Sequence, residues 1–153
     1  MAGQERAYGF QVSEYFFKLT SESIRLFSNS VLRHCSLSEV VNGRATRAPE
    51  LGDSYEVDDL ETHLRLIPDS GDIELSITIL ETSADSIDAA IPALEQALGK
   101  KVRFIDAVSL MFFDLIVERN ATEVLTKLGM SSADATEYRM SLKRRVSNVL
   151  PFR

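Results

Sequence analysis

Two histidines and a single cysteine are the only side chains of this 153-residue chain suited to nucleophilic or soft-metal chemistry, and their spacing keeps them apart. His34 and Cys35 are adjacent, and neighbours on a helix point about 100° apart, so a nucleophile–base pair would need unusual geometry there. The thiol is expected to pack as a small hydrophobe. His63 stands between Glu61 and Arg65, where it is expected on a solvated face. One cysteine rules out an intrachain disulfide and a cysteine-cluster metal centre, and a zinc site would have to draw on carboxylates. No cofactor or metal is expected.

The acids are denser. Glu56-Val57-Asp58-Asp59-Leu60-Glu61 resembles a cation loop in composition only, because it lacks alternating oxygen ligands and a central glycine. Asp58, Asp59 and Glu61, with Glu50, Asp53 and Glu56 nearby, are expected to form an acidic interaction surface. With His63 they are also where a carboxylate-based active site would be sought. The seven glycines are scattered as turn and cap residues, so no phosphate cradle is present. Asn120-Ala121-Thr122 is formally a glycosylation acceptor, which carries weight only in a secreted chain.

Charge is uneven along the chain. From Tyr138 onward there are five cations, Arg139, Lys143, Arg144, Arg145 and Arg153, and no acid, which leaves 12 basic against 23 acidic residues before it. The net charge of −6 argues against a surface coated with nucleic acid. The basic residues are candidate contacts to a partner or to nucleic acid, or an intramolecular contact with the acidic body.

The elements that would position these groups follow from hydrophobic period. Residues 60–80 alternate strictly: Leu60, Leu64 and Leu66 with Glu61, His63 and Arg65, then Ile73, Leu75, Ile77 and Ile79 with Asp72, Glu74, Ser76 and Thr78. With Pro68-Asp69-Ser70-Gly71 as the turn, the pattern predicts a β-hairpin pairing Leu66–Ile73, Leu64–Leu75 and Leu60–Ile79, with Arg65 opposite Glu74. Apolar residues from Val12 to Val31 favour a helix over 12–33, although Phe17-Lys18-Leu19 and Ile24-Arg25-Leu26 also alternate as a strand would, and 36–54 reads as a loop with a short strand near 39–41. Ile87, Ile91, Leu94 and Leu98, stopped by Gly99, predict another helix, with Pro92 in its first turn or at a kink.

A short strand is expected at 102–105, followed by a helix apolar nearly all round, carrying Met111, Phe112, Phe113, Leu115 and Ile116. That helix is more apolar than one small sheet obviously covers, so Phe112, Phe113 and Ile116 are candidate oligomer contacts. Asn120 with Glu123 reads as a cap pair for a short helix closed by Gly129. A last helix runs from Ser131 or Ser132 along Tyr138, Leu142, Val146 and Val149 to Pro151.

The short helix, glycine turn and longer basic-ended helix over 122–149 resemble the helix-turn-helix of bacterial regulators, which implies DNA binding through the second helix. The start of that helix, however, offers Ser132, Asp134 and Glu137, two of them acids that phosphate repels.

The sequence therefore predicts a single α+β domain over 1–153, with a small antiparallel sheet at about 55–80 packed against an N-terminal helix and a C-terminal helical group, a candidate subdomain over 104–150. Residues 1–6 are polar, and the apolar stretch 102–117 spans 16 residues interrupted by Arg103, Asp106 and Asp114. Neither a signal peptide nor a membrane span is expected, and the location is expected to be cytoplasmic or intravirion. The functional expectation is a non-enzymatic protein-interaction module, such as an adaptor, small chaperone, immunity-type inhibitor or subunit. It is expected to be a homodimer or part of a complex, with a DNA-binding regulator as the alternative.

Overall fold

The computed structural model of the chain describes residues 3–145. Strands β1 (Glu5–Val12) and β2 (Ile73–Leu80) form a two-stranded antiparallel sheet. Between them lie α1 (Glu14–Val31), α2 (Leu37–Arg44), a 3-10 turn (Ala45–Glu50), α3 (Leu51–Ser54) and α4 (Val57–Leu66). After the sheet come α5 (Glu81–Leu98), α6 (Phe104–Glu118), α7 (Val124–Leu128) and α8 (Ser132–Ser141). The expected α+β class with a small antiparallel sheet is what the chain adopts, and among the described residues no helix is long and apolar enough to cross a membrane.

The hairpin is corrected in its first arm. β2 is a strand as read, but residues 57–66 are helix, and the partner of β2 is β1, with Phe10 opposite Leu75, Tyr8 opposite Ile77 and Arg6 opposite Ile79. Val57, Leu60, Leu64 and Ile67 stand three, four and three apart, a helical stripe that outweighs the two-residue alternation. Asp58 and Asp59 in the first turn and Arg65 in the last also suit the helix dipole. Arg65 accordingly pairs with Glu137 of α8, not with Glu74. β1 was not anticipated, and Val12 was counted to a helix, although Tyr8, Phe10 and Val12 alternate with Ala7, Gly9 and Gln11.

The Pro68–Gly71 segment joins a helix to a strand. Gly71 is required there by proximity: a Cβ on it would lie 2.4 Å from the Val12 carbonyl oxygen. Its amide donates to the Gln11 carbonyl, and the Ser13 hydroxyl donates to that of Pro68, so the loop is stitched to the β1–α1 junction. Ser13 also caps α1, its oxygen accepting from the Phe16 amide at 3.0 Å.

Other expectations need correction. The 36–54 loop is helical: Ser36 and Glu39 form a reciprocal capping box that starts α2. Arg103, expected in a strand, caps α6. Asn120 takes a positive φ of 51°, and Glu123 pairs with Arg25, so they form no cap pair. Pro92 sits mid-way along α5, where it leaves the Asp88 carbonyl without its helical donor. The last helix ends at Ser141, and Val146 and Val149 lie outside the described residues.

Helix α6 is the axle of the core. Eleven of its 15 residues are buried, and it packs against α1, α2, α4 and α5. The expected contacts Phe112, Phe113 and Ile116 are covered by the chain itself, at no more than 1% exposure, so they offer no surface to a second copy.

Candidate functional site

The structure brings together two of the predicted groups, the acids at the start of α4 and the basic residues after α8. Lys143, Arg144 and Arg145 lie beyond the helix as an irregular segment laid back across the body as a strap. The Lys143 amine reaches both carboxylate oxygens of Asp59, at 3.2 and 3.1 Å, and the Met140 carbonyl at 2.9 Å. Arg145 faces Glu56 at 3.4 Å while its backbone amide donates to the Ser54 carbonyl at 2.8 Å. Arg144 approaches Asp114 at 3.5 Å and Glu118 at 3.7 Å. A hollow of about 300 Å³ beside Lys143 is lined by Glu56, Val57, Asp58 and Asp59. Asp58 is exposed and has no ion-pair partner among the described residues, Glu61 is half-buried on the same helix, and Arg139 projects into solvent.

Behind the strap is a cluster that sequence reasoning missed. Asp114, in the middle of α6, accepts from Arg44 at 2.7 Å, from Arg47 at 2.7 Å and from the Tyr55 hydroxyl at 2.5 Å. Glu118, one turn on, accepts two further bonds from Arg44. Burial opposes the charge of Asp114, yet the hydrogen bonds from Arg47 and Tyr55 hold its carboxyl below the usual range. The Tyr55 hydroxyl is pushed up, first by burial and then by the adjacent carboxylate. Arg44 and Arg47 already balance Asp114 and Glu118, so Arg144 adds a cation that neutrality does not need. The signal was an acid inside an otherwise apolar helix, which must find buried cations.

His63, expected on a wet face, is fully buried. Its Nδ1 lies 2.7 Å from the Tyr138 hydroxyl and its Nε2 2.8 Å from Ser109 Oγ, and its ring packs against Phe113. Burial pushes the imidazole down to about 3 and the Tyr138 phenol up. A serine bonded to a histidine is a nucleophile–base arrangement in outline, but Ser109, His63 and Tyr138 are all at 0% exposure, so no substrate can reach them. The trio ties α4, α6 and α8 together. The carboxylate-based active site sought around Asp58, Asp59, Glu61 and His63 therefore loses its histidine to the core.

A second cleft, of about 340 Å³, opens between the α4–β2 loop and the start of α6, with Lys100 and Lys101 at its rim. Within it the carboxyls of Asp69 and Asp106 share Arg103, whose guanidinium lies 2.5 Å from Asp69 and 3.0 Å from Asp106. Burial, then the adjoining Asp106, pushes Asp69 up to about 7. Asp106 is held below its ordinary value: burial opposes its charge, but the bonds from Asp69 and Arg103 prevail. The pair thus holds one proton near neutrality.

His34 and Cys35 form no pair. His34 is exposed, and the thiol contacts the Arg33 carbonyl at 3.3 Å. No group of three or more metal-ligating side chains occurs among the described residues. The helix-turn-helix resemblance survives as a short α7, the left-handed Gly129 at φ 77°, and α8. Its second helix, however, faces inward through Tyr138, and Glu137 is spent on Arg65. No family model, no curated protein and no solved structure matches this chain.

Proposed function

We propose that the chain is a non-enzymatic protein-interaction module whose acidic groove, floored by Glu56, Asp58 and Asp59, receives a lysine- and arginine-rich segment of another protein. The observation that carries this reading is the seat of the chain's own Lys143 on Asp59 and Arg145 on Glu56, with the Arg145 amide on the Ser54 carbonyl and Arg144 beside them on Asp114 and Glu118. The strap is held loosely enough to exchange. Its three side chains remain 60%, 44% and 44% exposed, and ion pairs so exposed contribute little each. The Asp114 cluster beneath is neutral without it, and Asp59, whose side chain is 11% exposed and paired only with Lys143 among the described residues, is the carboxylate that a released strap leaves for an incoming cation.

Fluorescence anisotropy of a labelled lysine/arginine/serine peptide tests the reading on the full chain. Neutralising the strap (K143A, R144A and R145A together) removes an intramolecular competitor and is expected to tighten peptide binding about tenfold, the sum of three weak exposed pairs. Adding Asp58→Asn and Asp59→Asn should abolish that binding. Failure of the strap-neutralised chain to bind the peptide overturns the proposal. So does binding of a labelled DNA duplex by the unaltered chain with loss on strap neutralisation, which would transfer support to the DNA-binding alternative.

A further inference from the structure

The two edges of the sheet are treated differently. On the outer edge of β2, the Thr78 amide donates to Ser38 Oγ at 3.1 Å and the Leu80 amide to Asn42 Oδ1 at 3.0 Å, so α2 side chains blunt that edge. Because Thr78 and Leu80 turn their amides outward, their cross-strand partners Ala7 and Glu5 turn theirs outward on the opposite edge, and Gly9 follows by alternation. Among the described residues, no group from outside the sheet hydrogen-bonds to the backbone of Glu5, Ala7 or Gly9. The edge closes only at Gln11, whose carbonyl takes the Gly71 amide. Along its core-facing side runs a half-buried aromatic row, Tyr8 stacked on Phe104 at 4.2 Å with Phe10 beside it at 6.0 Å.

We infer that β1 pairs antiparallel with β1 of a second copy about a twofold axis at Ala7, joining two small sheets into one of four strands. The open residues select this register. Centred on Ala7, Glu5 lies opposite Gly9 of the second copy and Ala7 opposite itself, so only the three unoccupied positions donate and accept, giving about six inter-chain hydrogen bonds. Glu5 faces a glycine, and Arg6, already paired with Glu81, Asp85 and Asp88 of its own chain, falls opposite Tyr8 of the second copy, so no like charges meet. A register shifted toward the C-terminal end would need the Gln11 carbonyl that Gly71 already occupies. A two-stranded sheet is marginal alone, and pairing also brings the two aromatic rows side by side.

Disulfide trapping tests both pairing and register. Residues facing each other in a hydrogen-bonded antiparallel pair have Cα atoms about 5.5 Å apart, within reach of a disulfide. In a Cys35→Ser background, Ala7→Cys is expected to cross-link to itself under mild oxidation. Gly9→Cys alone is not expected to cross-link, but should do so when mixed with Glu5→Cys. Ala7→Pro removes an outward amide without touching the bonds to β2, so it should leave the far-ultraviolet circular dichroism unchanged and yield a monomer by sedimentation. A native chain that stays monomeric at roughly 100 μM, a concentration that would populate even a weak dimer, overturns the inference. Equal self-cross-linking at Ala7 and Gly9 also overturns it.

Discussion

A buried histidine with both ring nitrogens engaged acts as a neutral polar spacer, and its cost appears when the solution turns acid. His63 is held at about 3 in the fold against 6.5 when free. Between those values the unfolded chain binds a proton that the folded chain does not, so the stability His63 confers is complete above 6.5 and declines as pH falls toward 3. Urea unfolding should show a loss of about 2 kcal/mol between pH 7 and pH 5 from this residue, and His63→Asn should lose that slope while being weaker at pH 7. An unchanged slope in the variant would sink the assignment. Asp69 acts in the opposite sense. Raised to about 7 from 3.8, it keeps a proton that the unfolded chain releases, so its contribution is lost as pH rises from about 4 to 7. Asp69→Asn, which cannot ionise, should gain in melting temperature relative to the native chain from pH 5 to pH 8. Neither group was legible as a site in the sequence. Alternation put His63 outside on a strand, whereas helical spacing places it three residues after Leu60 and inside, and Asp69 was read as a turn residue.

At the scale of elements, what could be read depended on whether one period competed with another. α5 and α6 were legible because their apolar spacing had no rival, α1 because the helical 24, 27, 31 spacing prevailed over short alternations at Phe17–Leu19 and Ile24–Leu26, and β2 because its alternation was uninterrupted. Residues 57–67 carried both periods, and tertiary packing chose between them. As a helix the segment buries Leu60, His63 and Ile67 together, and a helix places Asp58 and Asp59 where the dipole favours acids. The 36–54 region was misread for its low apolar content, although Ser36-Leu37-Ser38-Glu39 spelled a capping box. Ser36→Ala should therefore cost about 1 kcal/mol in chemical denaturation. Glycines give an element-scale contrast of sign. Gly71→Ala drives a methyl into the backbone of Val12 and Ser13 and should cost about 1–3 kcal/mol. Gly52→Ala, inside α3 with nothing within 4 Å of the added carbon, should stabilise by about 0.4–1 kcal/mol. Similar effects at the two positions would mean the α4–β2 loop does not press on the β1–α1 junction.

For the whole molecule, the acidic body and the basic end are halves of one electrostatic assembly arranged in two layers. The outer layer is the strap, exposed and exchangeable, and the charge asymmetry of the sequence anticipated it as an intramolecular contact. The inner layer is Asp114 with Arg44, Arg47 and Tyr55, which links α2, the 3-10 turn and the segment before α4 to the axle α6. The sequence hid this layer because its members are spread from residue 44 to residue 114, and only the fold brings them together. The layers should separate under mutation. Removing the acid in Asp114→Ala leaves Arg44 and Arg47 with Glu118 alone, an excess cation beside a nearly fully buried guanidinium, and breaking such a buried pair costs about 3–5 kcal/mol. That is a large share of the stability of a domain this size, so the variant should unfold at much lower urea with little change in slope. Reversing Arg145 to Glu disturbs only an exposed pair with Glu56 and should cost under about 1 kcal/mol. Raising salt should weaken the Arg145 contact and leave the Asp114 cluster nearly untouched, because ions screen exposed charges far more than buried ones. Equal losses for the two variants, or equal salt sensitivity, would mean that the cluster is solvated and that the fold does not depend on it.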